Sequence, residues 1–257
     1  MLSQQERLLD RLLDQLLAER RERRAPEWDR QQKADVFRAL CNVRPAQPAA
    51  PELLADQDAY LQLLLQARGT VAADSLTWHG GIALWQGDIT RLAVDGVVNA
   101  GNDALLGCFQ PLHRCIDNAI HTFAGVQLRW ACQQAMQGGR LATGEVVMTD
   151  AYNLPSRHVL HTVGPIVRHG QPTEAQQQQL AACYRNCLDK AQQAGLSTLA
   201  FCCLSTGEFG YPQQAAAQIA IDTVQRWLAE ERQHSLRVVF NVFTDADWRI
   251  YEQRLPQ

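Results

Sequence analysis

Residues 107–118 read GCFQPLHRCIDN and bring two cysteines, a histidine and an aspartate into one short stretch. Thiolate and imidazole are ligands that zinc prefers, so Cys108, His113 and Cys115 are candidates for a single metal centre. The i, i+2 spacing of His113 and Cys115 puts both side chains on the same side of an extended segment. Cys108 returns to the same centre if Pro111 helps to turn the loop. Three close ligands with no evident fourth would leave one coordination position open, which is the pattern of a catalytic zinc rather than a structural one. The C-x4-H-x-C spacing is not that of a standard zinc finger, so on spacing alone a metal site and a chance clustering in one loop both stand.

Three other segments carry polar chemistry. GDIT at 87–90 places Asp88 just after an apolar run, where a carboxylate can accept from an exocyclic amine. NAGN at 99–102 sets the amides of Asn99 and Asn102 around Gly101. STGEFGYP at 205–212 is a small, glycine-rich turn feeding a helix, and its backbone N–H groups could cradle an anion. Each has a plain alternative: Asp88 as a cap, Gly207 and Gly210 as turn formers, the asparagines as loop residues. Together they describe a pocket for an adenine-like ring, a diphosphate and ribose hydroxyls. A Rossmann G-x-G-x-x-G after the first strand and a Walker lysine are both missing from the sequence.

The elements that must position these residues alternate between strand and helix from residue 80 onward, the signature of an α/β layer fold. IALWQGDI, DGVVNAG, GEVVMTDAYNL, SRHVLHTVGP, TLAFCCLS and LRVVFNVF read as strands, with TLAFCCLS apolar on both faces and therefore central. Residues 116–139 read as one helix closed by Gly138 and Gly139, and residues 172–195, 211–231 and 245–255 as the others. Functional atoms in such sheets gather at the carboxyl ends of strands, where all four segments fall. The residues before 76 differ. Leucines at 8, 9, 12, 13, 16 and 17 mark one apolar helical face, and Pro51 opens a second helix over 51–68. CNVRPAQPAA between them is linker-like. The expectation is a helical N-terminal extension over 1–75 packed on a main domain over 76–257.

Charge and cysteine usage limit the partners. A net charge of −3 gives no global basic field for nucleic acid. Seven arginines over residues 1–30 are matched by seven acids, so the first helix is a solvated face rather than a basic arm. Eight cysteines, several inside apolar runs, and no signal-peptide pattern point to reduced thiols in a cytoplasmic protein. The longest apolar runs fall short of the roughly 20 residues a membrane span needs. Neither nucleic acid nor membrane is expected as a partner. Of the remaining histidines, His121, His158 and His161 read as satisfied structural residues.

WQGDITRLAVDGVVNAGN, LPSRHVLHTVGP and CLSTGEFGYP, in this order and spacing, resemble the macrodomain family over roughly residues 80–255. The resemblance implies a three-layer α/β/α fold with a mixed central sheet, and binding of ADP-ribose. LLGCFQPLHRCIDNAIH stands where the hydrolase branch usually keeps a glycine tract, and this replacement resembles the zinc-dependent macrodomains. By this resemblance Asp88 and Ile89 would meet the adenine and Asn102 the distal ribose. Ser205, Thr206, Gly207, Glu208, Phe209 and Gly210 would wrap the diphosphate, with Phe209 or Tyr211 near the distal sugar and Phe243 a weaker candidate for stacking on adenine. Asn99 begins the asparagine motif, and Gly101 stands where alanine is more usual. Cys108, His113 and Cys115 would bind Zn2+, and Asp117 aligns with the carboxylate that metal-free members use to activate water.

The implied function is zinc-dependent hydrolysis of the bond between mono-ADP-ribose and a protein side chain, with Asp117 and Asn102 catalytic. The acceptor would be an ADP-ribosylated protein, with a lipoyl carrier of the glycine-cleavage H type and a sirtuin-type ADP-ribosyltransferase as associated partners. Rival readings are a non-catalytic ADP-ribose reader, an ADP-ribose-1″-phosphate phosphoesterase, and an RNA binder, the last opposed by the neutral extension and a pI near 6.2.

Overall fold

The computed structural model describes residues 2–24, 27–230 and 235–255. The chain opens with three helices: α1 (Gln4–Glu19), α2 (Arg30–Val43) and α3 (Pro51–Arg68). Ser3 and Glu6 form a capping box that starts α1, and the six leucines read from the sequence are its buried face. The helix α2 is absent from the sequence reading, and Cys41 to Val43 of the linker-like stretch belong to it. It buries few apolar side chains, chiefly Phe37, Leu40 and Cys41, at helical spacing, and its first turn, Arg30 to Lys33, is wholly polar. These helices share a buried cluster that also takes in Tyr60, packed edge-on against Phe37 at 5.1 Å, and Val126 from beyond the extension.

The rest of the chain forms a layered α/β fold. Its elements are β1 (Val71–Ala72), β2 (Ile82–Gln86), β3 (Leu92–Ala93), β4 (Gly96–Ala100), α4 (Ile116–Ala124) and α5 (Val126–Met136). They continue with β5 (Val146–Asp150), β6 (His158–Thr162), α6 (Glu174–Gln193), β7 (Thr198–Phe201), α7 (Gln213–Glu230), β8 (Arg237–Val242) and α8 (Asp245–Glu252). Glu231, the last residue of the helix read over 211–231, lies outside the described residues. The six-stranded sheet has the order β2-β8-β7-β4-β6-β5, parallel except for the antiparallel edge strand β5. As its composition requires, β7 lies inside the sheet with all four residues buried. The helices α4 and α5 pack together against β4 and β5; α6 and α7 form another pair, and α8 packs on α7 and β2.

The helix read over 116–139 is two helices. Gly125 breaks it with φ 101° and ψ 170°, a region essentially reserved for glycine. A Cβ at this position would stand 2.5 Å from the Gln57 amide nitrogen of α3 and 2.5 Å from the Gln127 amide oxygen. Gln57 uses its own oxygen to accept the Val126 N–H at 2.9 Å, supplying a partner for a helix-start donor that lacks one within the helix. The extension also meets the sheet unit at Arg129. Its buried guanidinium donates to the carbonyls of Cys41 (3.0 Å), Asn42 (2.9 Å) and Arg44 at the carboxyl end of α2, where a cation complements the helix dipole.

Candidate active site

Because β2, β8, β7, β4 and β6 are parallel, their carboxyl ends lie along one edge of the sheet. Asp88, Phe243, the 205–211 turn and Asn102 all follow strands at that edge. Gly164, after β6, makes room for the turn: a Cβ there would come within 2.0 Å of Ser205 Oγ. The turn is held by Tyr211 N–H donating to Ser205 O and Gly210 N–H donating to Gly207 O, each at 2.9 Å. Thr206 Oγ1 donates to Cys203 O at 3.1 Å. Ser205 itself is left-handed, with φ 64°.

The loop from 102 to 115 is bent by left-handed residues at Leu105, Gly107, Phe109 and Leu112. It brings one donor atom each from Cys108, His113 and Cys115 within 4.8 Å of one another. Cys115 is the N-cap of α4 and its Sγ accepts the Asn118 N–H at 3.4 Å. His113 Nδ1 is buried without a hydrogen-bond partner, while its Nε2 lies 3.5 Å from Glu208 Oε1 of the 205–211 turn. Glu208 thus comes to the cysteine–histidine loop through its side chain, whereas the sequence reading gave it only a backbone part.

Asp117 sits two residues into α4 and is buried. Burial raises its pKa to about 6, against the opposing hydrogen bond from Asn99. Asn99 Nδ2 donates to Asp117 Oδ1 at 2.8 Å and lies 3.2 Å from His161 Nδ1, and His161 Nε2 lies 3.0 Å from Thr149 Oγ1. With Nδ1 accepting from the amide, His161 carries its proton on Nε2 and donates to Thr149, whose hydroxyl donates to Asp150 O. Burial lowers the His161 pKa to about 3, so it is a neutral, satisfied ring. His121 departs from that pattern. Neither of its ring nitrogens has a hydrogen-bond partner, and Nε2 lies 3.5 Å from Asp117 Oδ1. His121, Cys132 and His161 form a second, fully buried group of potential donors behind Asp117.

The other residues are placed as follows. Asn102 spends its amide on its own loop, accepting from Ala104 N at 3.1 Å and donating to Gly107 O at 2.8 Å. Asp88 caps a short 3-10 turn through Thr90 N–H at 3.0 Å, and its other oxygen accepts from Arg68 at 3.0 Å. Ile89 is buried at 1% exposure, so its side chain belongs to the core. Tyr211 is buried with an unpartnered hydroxyl, Phe209 is half-buried and Phe243 is 75% exposed.

A family model described as Macro domain matches residues 98–220, which run from β4 into α7 and hold the whole cysteine–histidine loop and the 205–211 turn. A Staphylococcus aureus protein named protein-ADP-ribose hydrolase is 46% identical over 85% of this chain and 83% of its own length. The chain belongs to the macrodomain family. Among solved structures, the Trypanosoma brucei macrodomain in complex with ADP-ribose is 30% identical, covers 84% of this chain and 94% of its own, and has a TM-score of 0.65. A point mutant of the Oceanobacillus iheyensis macrodomain with ADPR is 39% identical over 67% of this chain and 90% of its own, with a TM-score of 0.61. The similarity to curated hydrolases over most of the chain makes this macrodomain a hydrolase.

Three polar groups of this macrodomain to which sequence reasoning gave no part in the site are Arg68, Asn118 and His121, the last read there as a satisfied structural residue. Arg68 at the end of α3 reaches Asp88 and also covers the Phe123 ring at 3.7 Å. Asn118 and His121 are on α4 itself, at spacings that read as ordinary helix positions. Among the described residues, eleven buried side-chain polar atoms lack a hydrogen-bond partner, and six of them, Asn99 Oδ1, His113 Nδ1, both His121 nitrogens, Ser205 Oγ and Tyr211 Oη, belong to β4, the cysteine–histidine loop, α4 and the 205–211 turn.

Proposed function

We propose that this macrodomain is a zinc-dependent protein-ADP-ribosyl hydrolase that removes mono-ADP-ribose from modified protein side chains. The observation that carries the reading is the meeting of Cys108, His113 and Cys115, with donor atoms within 4.8 Å, on the loop that runs into the buried Asp117. The donor set suits the metal: two sulfurs and an imidazole are preferred zinc ligands, and His113 Nδ1 is buried with no competing partner. A bound zinc would supply Lewis acidity beside the distal ribose. Glu208, 3.5 Å from His113, brings a carboxylate to the same place.

The chain's own groups divide the remaining work. Asn99 holds Asp117 Oδ1, which leaves Oδ2 to take a proton from water. The water oxygen bonds to C1″ as the bond from C1″ to the acceptor breaks, and the acceptor atom leaves with the proton from Asp117. Asn102 braces the turn on which the distal ribose rests. The backbone of Ser205, Thr206, Gly207, Glu208, Phe209 and Gly210, with Tyr211, wraps the diphosphate side, and Asp88 with the Ile89 backbone receives the adenine.

The test is metal analysis of purified protein together with release of ADP-ribose from a modified acceptor, for wild type and Cys108→Ala. Zinc at one per chain with activity lost in the variant is expected; protein without zinc, or a variant hydrolysing normally, refutes the mechanism. Tight binding without release would favour a reader. The acceptor we propose is a lipoyl carrier of the glycine-cleavage H type modified by a sirtuin-type transferase, and release from that carrier tests it. Eight free cysteines support a reducing, cytoplasmic location, and no helix of the described residues is long and apolar enough to cross a membrane.

A further inference from the structure

Two residues that the reaction does not use, Asn118 and Arg38, contact all three candidate ligand residues between them. Asn118, buried in the first turn of α4, donates its backbone N–H to Cys115 Sγ at 3.4 Å and its Nδ2 to Cys108 Sγ at 3.4 Å. The same Nδ2 donates to Gln110 O at 3.1 Å. Asn118 Oδ1 accepts from Arg38 Nε at 3.2 Å and Nη2 at 2.8 Å, and Arg38 Nη2 also donates to His113 O at 3.0 Å. The Asn118 side-chain amide therefore touches Cys108, its backbone N–H touches Cys115, and the Arg38 guanidinium touches the His113 carbonyl. Arg38 belongs to α2, in the helical extension. One turn further along α2, Asn42 Oδ1 accepts the N–H of Leu112, and its Nδ2 donates to Thr122 at 3.1 Å.

We infer that Arg38, acting through Asn118, is the outer support of the Cys108–His113–Cys115 centre, so the N-terminal extension is part of the metal site and not an appendage. N–H donors to sulfur orient thiolate ligands and disperse their charge, and a guanidinium behind the amide fixes which way that amide faces. Without Arg38 the Asn118 amide could turn its oxygen toward Cys108, placing an acceptor against the sulfur. Arg38 is a positioning residue: it reaches the ligands through their backbone and through Asn118. The inference rests on the zinc reading above.

The test uses the full chain stripped of metal and titrated with Zn2+ in competition with a chromophoric chelator, and with Co2+ followed by its visible absorption. Removing an outer-shell partner typically costs about 10–100-fold in metal affinity. Arg38→Ala is expected to bind Zn2+ weaker by that factor, with shifted Co2+ bands. Arg38→Lys keeps the charge but not the two-nitrogen fork, so its affinity should fall between those of wild type and the alanine variant. Arg11→Ala, which breaks the bond to Asp56 elsewhere in the extension, should bind as wild type does. Circular dichroism and thermal unfolding confirm that each variant is folded; if Arg38→Ala is not, Arg38→Lys decides. Wild-type binding, lost in Cys108→Ala but unchanged in a folded Arg38 variant, overturns this inference alone. A wild type that does not bind Zn2+, or that Cys108→Ala matches, overturns the zinc reading and this inference with it.

Discussion

Gly125 joins the helix that carries Asp117 to the helix that docks on the extension, and its replacement by alanine has a cost that can be worked out. The backbone there, at φ 101° and ψ 170°, lies in a region that costs a residue with a Cβ about 1–3 kcal/mol. The added Cβ would stand 2.5 Å from the Gln57 nitrogen and 3.0 Å from its Cδ, and Gln57 is 1% exposed, with no open space to move into. Displacing Gln57 strips the Val126 N–H of its acceptor, and a buried donor left unpaired costs about 1–3 kcal/mol more. Gly125→Ala should therefore lower the free energy of unfolding by about 2–6 kcal/mol, measured by urea denaturation. Gln57→Ala removes the acceptor and the clash with Gln57 together, leaving only the contact with Gln127. In a double-mutant cycle the two changes should be less than additive by about 1–3 kcal/mol, because the lost acceptor is counted only once. A single-variant loss below about 1 kcal/mol, within the ordinary range of point mutations, or strict additivity, refutes the account of this junction.

Other expectations are more direct. Leu12→Ala in α1, at a fully buried position, should cost about 2–5 kcal/mol in urea denaturation. The Arg11 guanidinium hydrogen-bonded to Asp56 holds that carboxyl below its ordinary value, with Gln15 helping. The folded value is the lower one, so the stabilisation is present above the unfolded pKa of about 3.9 and disappears as pH falls through the folded value. The stability difference between wild type and Asp56→Asn, about 0.2–1 kcal/mol near neutrality, should shrink on acidification below pH ~4. A gap that widens instead refutes the pairing. If zinc occupies the cysteine–histidine loop, loading at 100 times Kd stabilises the fold by about 2.7 kcal/mol. Adding a strong chelator should then lower Tm by roughly 5–10 °C in wild type and leave Cys108→Ala unmoved in differential scanning fluorimetry.

What the sequence makes legible is what is local. The α1 leucines repeat at helical spacing and become its buried face, and Thr198 to Phe201, apolar on both sides, becomes an inner strand. The cysteine–histidine cluster is legible for the same reason, since its donor atoms lie within eight residues. The features that were missed depend on partners far along the chain. The break at Gly125 is set by Gln57 of another helix. The helix α2 buries few apolar side chains and runs on into the linker-like stretch, and the bonds from Arg129 to its last carbonyls are invisible in its own residues. Glu208 meets His113 because the parallel neighbours β4 and β7 end together at one edge of the sheet, and Arg68 meets Asp88 because the end of α3 lies beside the turn after β2.

Backbone conformation links these missed contacts to the site. Among the described residues, eight that are not glycine have positive φ, and four of them, Leu105, Phe109, Leu112 and Ser205, lie in the cysteine–histidine loop or the 205–211 turn. For such side chains the left-handed region costs about 1–2 kcal/mol each, so this loop would not hold its shape by local preference. What holds it lies largely outside it. Leu105 is fully buried in the core of the sheet unit. Phe109 lies under the Arg129 guanidinium at 4.4 Å, and that guanidinium is in turn fixed by carbonyls of α2 and of Arg44 just beyond it. Leu112 has its N–H bound by Asn42, and the carbonyl of the next residue, His113, accepts from Arg38. Two of the loop's three strained residues thus depend on contacts to α2 or to a side chain that α2 anchors. The extension is therefore the element that offsets the strain of bringing two cysteines and a histidine together, and loosening α2 should spread the three donor atoms before it disturbs the sheet.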